Sequence, residues 1–281
     1  MTEISGDTAG GFEAVAEAFE HNFDEHDEVG AACCVYVGGE PVVDLWGGTA
    51  DKVSGRPWER DTLQLHFSTT KGVAAICAAM LYQRGMLDYA APVALYWPDF
   101  AGGGKEQVTV AHCLSHQAGL AAVDADLTLD DLCAVEPVLR ALEAQEPLWE
   151  PGTVAAYHIH TQGNILGEIV RRVTGKRFPA FIKDEVTGPL GMDYQYGNLS
   201  DADLARCATL VPTVEGTLLA RRDTDPDALI SKGFTQFPDA PMPDILNSTE
   251  WRRAEITSAS GHGNARAVSR VYAAIARGGE L

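Results

Sequence analysis

The sequence lacks the long apolar runs that membrane-spanning proteins need. Nowhere in its 281 residues does an uninterrupted apolar stretch approach the roughly 20 residues that cross a bilayer. The N-terminal stretch MTEISGDTAGGFEAV is polar and acidic, with neither the basic nor the apolar segment of a secretory signal. We therefore expect a cytoplasmic localisation and no membrane partner.

Positive charge is also scarce. The chain has 21 Lys and Arg against 40 Asp and Glu, which gives a formal net charge of −19. Nucleic acids and anionic membranes bind basic surfaces, so neither is an expected partner. The apolar fraction of 46% is that of an ordinary globular protein.

Several catalytic and metal-binding motifs are missing. The six cysteines form no C-x-x-C pair, and without a secretory signal we expect them to be reduced and structural. His112 and His116 stand four residues apart, but no H-E-x-x-H motif accompanies them, so we predict no metal and no cofactor. The absence of G-x-S-x-G excludes an ordinary α/β-hydrolase.

Periodicity predicts a mostly helical chain with one β-hairpin. Alternating apolar residues indicate strands over 30–36 and 41–47, joined at Gly38-Gly39. A two-stranded hairpin is not stable alone in water, so further strands are needed. Residues 195–250 look irregular. Helices are predicted over 11–24, 67–85, 108–120, 127–145, 160–176, 177–192 and 265–279.

The stretch FSTTK, residues 67–71, places a serine and a lysine on one face of a helix. Ser68 can cap this helix, and the helix dipole together with burial should lower the pKa of Lys71. A neutral amine near the hydroxyl would make Ser68 a nucleophile, and the Ser68 N–H would be half of an oxyanion hole. The alternative is a capping serine beside a lysine that extends to solvent.

From about residue 10 to 281 the sequence resembles the serine β-lactamase-like family. This family includes class C β-lactamases, D-Ala-D-Ala peptidases and family VIII carboxylesterases, and the esterase branch is the most similar. The segments that carry the resemblance are 42–51, 67–75, 84–100, 108–120, 149–158, 164–176, 188–192 and 261–280.

The resemblance implies an α/β (α+β) fold of the β-lactamase/transpeptidase type. In this fold an antiparallel sheet flanked by helices is joined to an all-helical subdomain, with the site between them. Residues 1–66 would begin the α/β domain, and residues 67–195 would form the helical subdomain with the catalytic helix at its start. Residues 196–260 would be an irregular segment beside the cleft, and residues 261–281 a helix returning to the α/β domain.

The resemblance also implies a catalytic tyrosine, for which there are two candidates. Tyr196 matches the family's Y-x-N letters, but Tyr157 follows the PGT segment where the family places the motif, so we predict Tyr157. Ile159 replaces the asparagine that would hold an amide substrate, which favours esters. We expect His158, Ile159 and Phe67 to contact the substrate. His160 could also line the site, and the alternative role for His158 and His160 is packing or a hydrogen bond to a loop.

The family's third motif, K-T-G, H-x-G or W-x-G on an edge strand, is not found. His262-Gly263 precedes a helix rather than ending a strand, so we do not assign it this role. The C-terminal strands of the fold are missing with the motif, and we expect a second chain or a C-terminal fragment to complete the fold. Alone, these 281 residues should be inactive and unstable.

The predicted function is hydrolysis of short-chain carboxylic esters, with an acyl-enzyme on Ser68 and with Lys71 and Tyr157 as general base and acid. A small-molecule ester is therefore the expected partner. The alternatives are a β-lactamase or D-Ala-D-Ala carboxypeptidase, an acyltransferase, and a non-catalytic penicillin-binding sensor.

Overall fold

The computed structural model describes residues 2–211, 232–233 and 242–279. The strands are β1 (Ile4–Thr8), β2 (Gly30–Val37), β3 (Glu40–Asp51), β4 (Arg56–Pro57), β5 (Gln64–Leu65), β6 (Tyr194–Tyr196) and β7 (Gly261–Gly263). The helices are α1 (Glu13–Glu25), α2 (Thr69–Gln83), α3 (Val110–Leu114), α4 (Leu129–Ala134), α5 (Glu136–Ala144), α6 (Thr161–Thr174), α7 (Phe178–Ile182), α8 (Asp201–Arg206), α9 (Met242–Asn247), α10 (Thr249–Arg253) and α11 (Ala265–Ala276). This mixture of helices and antiparallel sheets confirms the predicted α/β class.

The larger sheet has the strand order β1-β3-β2, and β4 pairs with β3. The predicted hairpin of β2 and β3 is confirmed, with its turn at Gly38-Gly39. Strand β1 was not predicted, because ISGDT is short and polar; it pairs antiparallel with the middle of β3. Val43 and Leu45 of β3 pack with Phe19 of α1 in a small core of their own.

A second, smaller sheet has the order β5-β7-β6 and lies next to the start of α2. Its central strand ends with His262-Gly263, so our prediction that these residues do not end a strand is wrong, although α11 does follow them. The predicted domain boundary at 195/196 falls within β6. The proposed division into four segments stays a prediction.

The main core surrounds α2. Val73, Cys77 and Leu81 have no exposed surface, and they pack in one cluster with Ile165 of α6. The helix predicted over 127–145 is interrupted at Val135, whose φ of 68° separates α4 from α5. The region predicted as one helix over 177–192 is α7 followed by a π-helical turn, Lys183–Thr187.

Helix α11 packs across β2 and is tied to the larger sheet by an ion pair. Both oxygens of Asp44 in β3 accept hydrogen bonds from Arg266, at 2.7 and 2.9 Å. Within the described residues, β2 pairs with β3 alone. The missing strands that we expected beside this hairpin therefore stay a prediction. No helix in the described part of the chain is long and apolar enough to span a bilayer.

Candidate active site

Ser68 stands at the turn that leads from β5 into α2. It precedes the first helical residue and itself has helical angles, φ −75° and ψ −5°. Its side chain makes no capping hydrogen bond, so the expected cap is wrong. The preceding residue, Phe67, has a φ of 44°, a left-handed conformation that is rare and strained for a non-glycine residue.

Lys71 is buried in the first turn of α2 and has three oxygen neighbours. Its Nζ lies 2.7 Å from the carbonyl oxygen of Ile159, 3.3 Å from that of Ser258 and 3.3 Å from Ser68 Oγ. A neutral amine has two N–H groups and one lone pair. The two carbonyls accept the two N–H groups, which leaves the lone pair for the Ser68 hydroxyl.

Burial also favours the neutral form of Lys71. The side chain is nearly inaccessible, and desolvation lowers the pKa of its amine to about 7. No carboxylate of the described residues forms an ion pair with it. The amine can therefore accept a proton near neutral pH, as a general base must.

Tyr157 faces the same amine from the segment before α6. Its ring centre lies 4.9 Å from Lys71 Nζ, and the side chain is 41% exposed. No hydrogen bond within the described residues joins its hydroxyl to Ser68 or Lys71. The ring also contacts His116, with the ring centres 4.7 Å apart. Tyr157 is thus close to Ser68 and Lys71 and open to a ligand.

His116 accepts hydrogen bonds from the two residues that flank Tyr157 in the chain. Its carbonyl oxygen accepts the N–H of Ala156 at 3.1 Å, and its Nδ1 accepts the N–H of His158 at 3.1 Å. The residue has a φ of 64°. Our sequence analysis did not place His116 in the site, because nothing in the LSHQAGL segment indicates that its ring reaches Tyr157.

The three residues expected to contact substrate differ in position. Phe67 is exposed beside Ser68, as a contact residue would be. The side chain of Ile159 is buried, and it is its carbonyl oxygen that faces Lys71. His158 is fully buried, with Nε2 accepting the Leu120 N–H at 3.1 Å and Nδ1 lying 2.6 Å from the Ala156 oxygen. The structure therefore gives His158 the alternative role, a hydrogen bond to a loop, and contradicts substrate contact.

Tyr196 lies outside the site. It is buried in the main core, and its hydroxyl donates a hydrogen bond to the carbonyl of Thr257. Burial raises the pKa of its phenol well above the usual value. The match to Y-x-N at 196–198 is therefore fortuitous.

No metal centre is formed by the part of the chain that the structure describes, since it contains no group of three or more His, Cys, Asp or Glu side chains placed to hold an ion. His112 instead completes a capping box at the start of α3, where its Nδ1 accepts the Thr109 N–H at 3.3 Å.

The chain is similar in sequence to curated esterases. The chain is 34% identical over 290 residues to the esterase/beta-lactamase LipL of Mycobacterium tuberculosis, covering 96% of this chain and 64% of LipL. It is 30% identical to the esterase EstB of Burkholderia gladioli, covering 68% of this chain and 53% of EstB. The chain thus spans less than two thirds of the length of these two curated relatives.

The fold has a close counterpart among solved structures. A crystal structure of a family VIII carboxylesterase superposes with a TM-score of 0.89 at 40% identity, covering 99% of this chain and 73% of that one. The Beta-lactamase family model matches residues 15–281. The resemblance inferred from the motifs and the β-lactamase/transpeptidase-like fold are confirmed, and the chain belongs to the beta-lactamase family.

Proposed function

We propose that the protein hydrolyses carboxylic esters through an acyl-enzyme on Ser68. The observation that carries the proposal is the setting of Lys71: two carbonyls hold its N–H groups, and its lone pair is left for Ser68 Oγ. The relatives named esterase or carboxylesterase support the choice of ester chemistry.

The chemical steps follow from the positions of the groups. Lys71 takes the proton of Ser68 while Oγ bonds to the ester carbonyl carbon, and the carbonyl electrons move to oxygen. The Ser68 N–H makes no hydrogen bond within the described residues, so it is available to this oxyanion. The alkoxide then leaves with a proton from Lys71 or Tyr157. Water then attacks the acyl-enzyme while Lys71 takes its proton. Ser68 leaves and recovers that proton, and the carboxylic acid is released.

The surroundings of Ser68 favour an uncharged ester. Phe67 and Tyr157 offer exposed aromatic surface beside the nucleophile. Ile159 has no side-chain group that could hydrogen-bond to the amide of a peptide or lactam. A small, short-chain ester is therefore the substrate class that we propose.

A second candidate is β-lactam hydrolysis, which uses the same nucleophile and base. The relative LipL is named an esterase/beta-lactamase, which supports β-lactam hydrolysis as the second candidate. Comparing kcat/KM for a short-chain nitrophenyl ester with that for a chromogenic cephalosporin separates the two. Faster turnover of the cephalosporin would reverse the order of the candidates.

The nucleophile is tested by intact mass spectrometry after incubation with a fluorophosphonate, in the presence of the second chain or C-terminal fragment that we expect to complete the fold. We expect one adduct on the wild type and none on Ser68→Ala. A folded wild-type protein that forms no adduct would contradict the proposal and favour a non-catalytic binding protein.

A further inference from the structure

One of the two carbonyls that hold Lys71 belongs to a buried turn packed on helix α6. Ser258 has no exposed surface, and its carbonyl oxygen lies 3.3 Å from Lys71 Nζ. Its hydroxyl donates a hydrogen bond, at 3.3 Å, to the carbonyl of His160, which precedes α6. The position of this carbonyl therefore depends on how closely the turn approaches α6.

Gly163, in the first turn of α6, sets that approach. A Cβ at this position would lie 2.7 Å from Ser258 Cβ and 2.8 Å from the Thr257 carbonyl carbon, and closer still to the Ser258 nitrogen. Two of these atoms are backbone atoms, which no change of rotamer can move away. Any side chain at 163 must therefore push residues 257–258 away from the helix.

We propose that Gly163 is a positioning residue for Lys71: its missing side chain lets the Ser258 carbonyl reach Nζ. This inference rests on the proposed function, because Lys71 matters only as the base for Ser68. Nothing in the sequence around Gly163 indicates the role, since a glycine has no side chain whose chemistry would suggest one.

Displacing Ser258 has a defined chemical consequence. It opens space beside Nζ for water and relieves the burial that lowers the pKa of Lys71, so the amine stays protonated to a higher pH. The other titratable groups around Nζ are Tyr157 and the imidazoles of His116, His158 and His160. Burial lowers the pKa of each imidazole, so an effect near pH 7 reports Lys71.

Gly167, one turn further along α6, provides a matched control. A Cβ there meets only the side chain of Thr257, with Oγ1 at 2.8 Å and Cβ at 3.6 Å, and this side chain can rotate. Both substitutions to alanine add the same atom to the same helix and gain a similar helix propensity. A difference in labelling between the two variants is therefore due to the close approach of Gly163 to the backbone of residues 257–258.

The test is the rate at which a fluorophosphonate labels Ser68 between about pH 5 and pH 10 in the full chain, for wild type, Gly163→Ala and Gly167→Ala. We expect the pH at which labelling of Gly163→Ala reaches half of its maximum to rise by about one unit, so that at pH 7 this variant labels about fivefold more slowly than the wild type. Gly167→Ala should behave as wild type. The proposal would be overturned if Gly163→Ala labelled at the wild-type rate with the wild-type pH dependence. It would also be overturned if a smaller fraction of the Gly163→Ala protein were labelled while the pH dependence of the rate stayed that of the wild type.

If Gly163→Ala does not fold, Ser258→Ala decides the question. It removes the hydrogen bond to His160 without adding an atom, and we expect its acid limb to move in the same direction. An unmoved limb in this folded variant overturns the inference. Failure of the wild type to label at Ser68 would instead overturn the proposed function, so the two failures are distinguishable.

Discussion

The carbonyls of Ile159 and Ser258 determine how Lys71 uses its amine. Burial alone favours a neutral lysine, but it does not orient the lone pair. The two carbonyls accept the N–H groups and leave Ser68 Oγ as the remaining neighbour. The proposed role of Lys71 as the base for Ser68 therefore depends on the direction of the lone pair as well as on the pKa.

The activity should rise with pH through the pKa of Lys71. The base must be deprotonated, and burial lowers its pKa to about 7, so kcat/KM for a neutral ester should fall about tenfold per pH unit below that value. Lys71→Arg stays protonated and should be inactive throughout. An acid limb near pH 4 would contradict this, because burial lowers the pKa of His158 to about 4 and a histidine would then be the base.

His116→Ala should impair catalysis without altering Ser68 or Lys71. It removes the ring that contacts Tyr157 and the Nδ1 that accepts the His158 N–H. We expect kcat/KM for an ester to fall about tenfold, because a small misplacement of a catalytic group is costly. His116→Asn should recover part of the loss, since asparagine tolerates a φ of 64° and offers an acceptor. Full activity in the alanine variant would refute this role.

The sequence could identify some members of the site but not others. Ser68, Lys71 and Tyr157 have side chains whose chemistry suggests a role, and the structure places them together. Ile159 and Ser258 contact Lys71 through backbone carbonyls, which every residue type possesses. The residue types at these two positions therefore do not predict the contact. The position of His158 also required the structure, because histidine is equally suited to a cleft and to a buried hydrogen bond.

Among the secondary-structure elements, α11 is joined to the larger sheet by the ion pair of Arg266 with Asp44. Asp44→Asn should lower the free energy of unfolding by roughly 1.5–3 kcal/mol, the range for hydrogen bonds to charged groups. Urea unfolding should show a lower midpoint with an unchanged m-value.

Asp7→Asn is the matched control, because Asp7 is exposed and directly opposite Asp44 in the register of β1 and β3. It should leave the midpoint nearly unchanged. Equal effects of the two substitutions would mean that the charge of the sheet, and not the ion pair, determines stability.

Long elements could be predicted from the sequence and short ones could not. Helices α2, α6 and α11 have apolar residues at helical spacing over several turns, and Gly175 ends α6 in the left-handed conformation. Strands β1 and β7 have five and three residues, which are too few to show alternation. They are strands because a neighbouring strand accepts their hydrogen bonds, a relation that a local pattern does not contain.

At the scale of the whole molecule, the net charge of −19 should discriminate between substrates. An anionic ester is repelled during encounter, and salt screens this repulsion. We expect kcat/KM for an anionic ester to rise several-fold between about 0.01 M and 1 M salt, where the Debye length falls from about 30 to 3 Å. A neutral ester of the same acid should change little. An equal response of both esters would show that the charge does not act at the encounter.

The neighbours of Lys71 come from widely separated parts of the chain, and this has a consequence for protein synthesis. Ser68 and Lys71 leave the ribosome long before Ile159, and Ser258 follows last. Until then the amine is hydrated and remains an ordinary ammonium ion. If Ser68 and Lys71 act as we propose, the nascent chain carries its serine in an unreactive form, and the proposed ester chemistry begins only when folding brings the last carbonyl into place.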